Sequence, residues 1–161
     1  MPKKTNPIRE VDEEAIALAQ SLITSARYGA LAVNHPETGH PHVTRIAIGT
    51  DESGQPITLI SDLSLHTKAL KANPNASLLL GEPKDNGDPL THPRITLNCR
   101  ANFVTRETED FAGLRDLYLK QNPKAKLYID FTDFNFVRFD IQSADLNGGF
   151  GKAYQLDPDH F

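Results

Sequence analysis

The sequence predicts a mainly β, α+β fold, an antiparallel six-stranded barrel with peripheral helices. Two observations lead there. Six strand-like runs are joined mostly by short Gly/Pro-containing turns, and helical spacing is confined to a few insertions between them. That pattern suits antiparallel pairing better than a regular βαβ sheet.

The elements follow in chain order. Asp12 is placed to cap a helix whose first turn carries Glu13 and Glu14, and Ile16, Ala19, Leu22, Ile23 and Ala26 recur on one face, with Gly29 as the expected stop. Ala30 to Val33 reads as a strand, His35 to Pro41 as a turn and His42 to Ile48 as the returning strand. After a turn around Gly54, Ile57 to Ile60 is a third strand, so the first three predict a meander. Ser61 to Asn73 reads as a short amphipathic helix stopped by Pro74. Ala76 to Leu80 resumes the sheet, Glu82 to Pro93 is a long polar loop and Arg94 to Val104 a long strand. Thr108 to Lys120 is helical, Lys124 to Asp130 a further turn or so of helix, and Asn135 to Ile141 an aromatic-rich final strand.

A chain of 161 residues, 39% apolar and 24% charged, suits one domain over 1–161, with 1–11 and 155–161 as flexible ends. The formal charge of −4 argues against a nucleic-acid backbone or an anionic membrane as the main ligand. Cys99 is the only cysteine, which excludes an intrachain disulfide and a cysteine-rich zinc site and fits a reducing cytoplasm. The first twenty residues lack the apolar run of an export signal or a membrane span.

Chemistry concentrates where the third strand meets the following helix. Ser61, Asp62, Ser64, His66, Thr67 and Lys68 gather hydroxyls, an imidazole and an ammonium at a helix start, which suits an anion. The same residues also suit plain helix capping with a solvated lysine. Arg45 lies among apolar strand residues and needs an anionic or carbonyl partner if it points inward, or solvent if it points out. Arg94 and Arg100, six apart, share a strand face and pose the same choice. None of the six histidines has a metal-ligand spacing, Cys99 suits a buried position, and GGFG at 148–151 is a turn or a pocket wall.

GALAV, HVTRIAIG, LISDLSLHTKALKANP with ASLLL, PRITLNCRA, DFTDFNFVRFDI and GGFGKA, in this order from about Ala26 to Tyr154, resemble the pyridoxamine 5'-phosphate oxidase-like flavin proteins, in particular their haem-utilisation (HugZ-like) branch. The resemblance implies a Greek-key-like split barrel forming a homodimer with FMN at the subunit interface. By position, Arg45 would reach the flavin, Ser61 would lie beside its ring, His66, Thr67 and Lys68 would hold its phosphate, and Arg94 would approach from the partner. The oxidase's Ser-Arg-Lys run is replaced here by His66-Thr67-Lys68, and its substrate lysine by Gly49 or Thr50. The expectation is therefore an FMN-dependent oxidoreductase that does not act on vitamin B6 phosphates. Two alternatives remain: a haem-binding or haem-degrading protein with His160 as axial ligand, and a non-catalytic flavin-binding module.

Overall fold

In a computed structural model, which describes residues 6–161, nine strands form one mixed sheet. Helix α1 (Glu13–Thr24) begins as expected, with the Asp12 carboxylate accepting the Ala15 N–H at 2.8 Å. Such a cap contributes about 1 kcal/mol. The helix stops at Ser25, not at Gly29, which lies inside β2 (Tyr28–Asn34). Glycine is needed there because a Cβ would meet the Leu80 side chain at 2.5 Å.

Strand β2 pairs antiparallel with β3 (Pro41–Ala47), Ala30 facing Arg45, and with β6 (Asn75–Leu80), Ala30 facing Leu79. The predicted meander breaks after β3. A two-residue strand, β4 (Gly49–Thr50), pairs with β5 (Pro56–Ser61), and β5 crosses to β8 (Phe134–Asn147). The Thr58 hydroxyl donates to the Ala47 carbonyl at 2.6 Å and ties β5 back to the end of β3. Strand β7 (Arg94–Val104) has the bounds read from sequence and pairs with β6 and β8.

Three strands escaped the sequence reading, the two-residue β4 among them. Strand β8 is followed by β9 (Ala153–Leu156), and β1 (Ile8–Arg9) joins β9 in parallel, so the sheet is neither six-stranded nor purely antiparallel. The physical reason is that β8 serves two partners on one edge: its first half pairs with β5 and its last residues with β9. The segment 155–161, read as a flexible end, runs through the end of β9 and a 3-10 turn at Pro158–His160. The other expected flexible end includes residues 1–5, which lie outside the described residues.

Helix α2 (Leu65–Ala72) follows β5, and α3 (Phe111–Gln121) follows β7. Two apolar clusters result. The larger joins Ala15, Ala19 and Ile23 of α1 to Leu31, Leu78, Leu97 and Phe139 of the sheet. The smaller packs Leu114 and Tyr118 of α3 on Ile57, Leu59 and Phe136, with Phe136 5.2 Å from Phe111 and 5.4 Å from Tyr118 between ring centres. Covered on both faces, β5 is buried from Pro56 through Ile60, which accounts for its unbroken apolar run. Among the described residues no helix is long and apolar enough to cross a membrane.

Candidate functional site

The junction expected to hold a phosphate is closed on itself. The Ser61 hydroxyl donates to the Asp133 carboxylate at 2.5 Å and accepts the Leu63 N–H at 3.1 Å. The buried Thr67 hydroxyl donates to the Ser61 carbonyl at 2.6 Å. Asp62 pairs with Lys71 at 3.1 Å, while Lys68 is exposed. Of the three side chains meant for the phosphate only Thr67 is engaged by the protein, and the carboxylates of Asp62 and Asp133 at the same junction would repel a dianion.

His66 is half-buried on the first turn of α2, and burial together with nearby His42 lowers its pKa below the usual imidazole value. Arg45 is exposed on β3, its guanidinium 5.5 Å from the ring centre of Tyr28. Arg94 donates to the Leu90 carbonyl at 3.0 Å. Strands β2 and β6 lie between β3 and β7, so at about 4.8 Å per strand Arg45 and Arg94 are about 14 Å apart across the sheet. The structure therefore unites Ser61 and Thr67, with His66 beside them, and leaves Arg45 and Arg94 with separate partners and the Lys68 side chain with none among the described residues.

Arg100 is exposed, on the same face of β7 as Arg94. Cys99 is buried and its thiol is pushed up to about 12, mainly by burial. His160 closes the last 3-10 turn, its Nδ1 accepting the Asp157 N–H at 3.1 Å. GGFG turns the chain between β8 and β9 and leaves Phe150 94% exposed. Among the described residues no group of three or more His, Cys, Asp or Glu side chains is gathered for a metal ion.

A different place has the dimensions of a ligand site. A groove of about 810 Å³ runs between α1 and the 81–93 loop, within the range usual for small-molecule pockets. Leu18 and Leu22 of α1, with Ala26 just beyond its end, form its apolar wall. Arg27, Tyr28 and Lys84 also line it, with Glu82 on the loop side. Arg27 and Lys84 are exposed and form no ion pair among the described residues. Gly81 shapes the loop: its φ is +106°, and a Cβ would meet the Pro93 carbonyl at 2.5 Å.

His92 is the groove's one imidazole. Its Nδ1 accepts the Lys84 N–H at 2.8 Å, so the neutral ring carries its proton on Nε2. As held, neither nitrogen offers a free lone pair to a metal. The groove can accept a flat apolar molecule along Leu18 and Leu22 and pair anionic substituents with Arg27 and Lys84. Sequence reading missed it because its walls come from separate segments. The one available signal was the i, i+4, i+8 stripe running into Arg27.

The chain matches the family described as "CREG, beta-barrel" over residues 10–161. It is 37% identical over 117 residues to the chloroplastic non-canonical haem oxygenase HOZ of Arabidopsis thaliana, a match covering 72% of this chain and 34% of that protein. The chain thus spans about a third of that relative's length. A solved haem-binding protein from Mycobacterium smegmatis is 27% identical with a TM-score of 0.82, covering 94% of this chain and 61% of the other. A member of the pyridoxinephosphate oxidase family from Clostridium acetobutylicum shares the fold at 16% identity, with a TM-score of 0.69 over 92% of this chain and 98% of its own. The split-barrel expectation stands at that coarser level. The expectations of FMN and of a flavin-dependent oxidoreductase are overturned, because the nearer relatives carry haem in their names.

Proposed function

The chain belongs to the CREG beta-barrel family, and from that premise we propose that it binds haem, as the haem-binding alternative expected, and presents it for oxidative breakdown. The observation that carries this reading is the groove between α1 and the 81–93 loop, whose volume, apolar wall and two free cations suit a flat macrocycle bearing two carboxylates. The haem names of HOZ and of the Mycobacterium smegmatis protein support it.

Bound haem would supply the redox chemistry, with the macrocycle also the substrate. The chain's own part is to bind and orient. Leu18, Leu22 and Ala26 cover one face and exclude water from it, Arg27 and Lys84 hold the carboxylates at the rim, and His92 fixes the loop through Lys84.

The homodimer expected from sequence is retained as part of the proposal, without a flavin. The outer face of β3, β2 and β6 presents Val43, 62% exposed, and Leu79, 45% exposed, around Ala30, Ala32 and Ser77. A second copy covering this face would leave the groove at the interface margin, where Tyr28 lies.

Haem titration followed in the Soret region tests the binding reading. Saturable uptake of one haem per chain is expected, with affinity reduced about tenfold or more in the double variant Arg27→Glu, Lys84→Glu. No saturable uptake by the folded protein would overturn it.

A further inference from the structure

Of the axial donors that haem iron usually takes, the groove offers two, His92 and Tyr28, and they differ in availability. His92 has its Nδ1 engaged by the Lys84 N–H, and in that tautomer its Nε2 carries the proton. Coordination through either nitrogen would break the bond that holds the 84–92 loop. Tyr28 is 43% exposed, and its hydroxyl makes no hydrogen bond among the described residues. Phenolate oxygen is an established axial donor to haem iron.

The neighbour of Tyr28 strengthens the case. Tyr28 is the first residue of β2 and faces Ala47 on β3, and Arg45, two residues away on the same face of β3, places its guanidinium 5.5 Å from the phenol ring centre. A cation there stabilises the negative charge that the oxygen carries once iron displaces its proton. Tyr28 is thus held by one strand pair and lines the groove beside Arg27 and Leu22.

We propose that Tyr28 is the axial ligand to ferric haem in this groove and that Arg45 is its positioning residue. The inference rests on the haem reading above. As the oxygen–iron bond forms, the phenolic O–H bond breaks and the proton passes to solvent, while the iron stays ferric. Arg45, expected from sequence to serve a flavin, then acts through Tyr28.

Ferric haem and metal-free protoporphyrin IX are titrated into the wild-type protein and the Tyr28→Phe, Arg45→Gln and His92→Ala variants, with absorption and electron paramagnetic resonance spectra recorded. The wild type is expected to show a high-spin ferric spectrum with a phenolate charge-transfer band. Tyr28→Phe should lose that band and about tenfold or more in haem affinity, while binding protoporphyrin IX as the wild type does. Arg45→Gln should weaken the band, and His92→Ala, by loosening the loop that carries Lys84, should lower the affinity for both porphyrins while the haem that does bind keeps the band. A Tyr28→Phe spectrum identical to wild type, or a wild-type spectrum of imidazole ligation, would overturn the assignment and leave the haem reading standing. Failure of the wild type to bind either porphyrin would overturn both.

Discussion

Ser61 and Asp133 are joined by a 2.5 Å hydrogen bond across the end of the β5–β8 pair, where Ser61 faces Phe134 in register. The serine that resembles a flavin contact in sequence therefore fastens the loop before β8 to the turn before α2. Ser61→Ala removes that bond and the one from the Leu63 N–H, and is expected to cost about 1–3 kcal/mol in a urea unfolding curve. Haem affinity should stay within about twofold of wild type. A large loss of haem binding with unchanged stability would return the ligand to this junction.

Asp51 performs a similar task at the β4–β5 turn. Its side chain, 6% exposed, accepts the Ser53 and Gln55 N–H groups, the Ser53 hydroxyl and Arg138 Nε at 3.1 Å. Asp51→Ala leaves a half-buried guanidinium with only Asp110 as partner and should cost about 3 kcal/mol. Calorimetry showing a loss below about 1 kcal/mol would contradict this.

His66 makes stability pH-dependent. Burial and His42 depress its folded pKa below the ordinary 6.5, so the unfolded chain binds the proton more readily. Its contribution is complete above 6.5 and is lost as pH falls from there toward the depressed value. His66→Gln should flatten that part of a plot of unfolding free energy against pH. A wild-type slope kept unchanged by the variant would assign the effect elsewhere.

The proposed dimer gives a fourth prediction. Wild-type protein should sediment as a dimer, and the pair Val43→Asp, Leu79→Asp as a folded monomer, because both carboxylates would be desolvated at the interface. A wild-type monomer at high concentration would contradict the placement.

Much of the architecture is legible where side chains report their own burial. Asp12 announces α1, and the alternation from Arg94 to Val104 fixes β7 to the residue. The sequence reading fails where pairing is non-local. Strand β5 looks like the third strand of a meander because nothing in PITLIS records that its partner is Phe134–Arg138. Strand β8 runs six residues beyond the expected end at Ile141, where the register shift beside Asn98 and Cys99 leaves Gln142 unpaired and polar residues alternate on its outer face. The two residues of β1 and four of β9 are too few to show a period. At the site, Arg45 was legible as a residue needing a partner, yet its partner Tyr28 is set by β2–β3 register, and the groove needs a helix stripe and a loop more than fifty residues apart.

The central claim is that the groove between α1 and the 81–93 loop holds haem, and a crystal structure of the haem complex tests it most directly. The macrocycle is expected against Leu18 and Leu22, with its carboxylates at Arg27 and Lys84. Haem bound instead at the Ser61–Lys68 junction, with the groove filled only by solvent, would contradict the account.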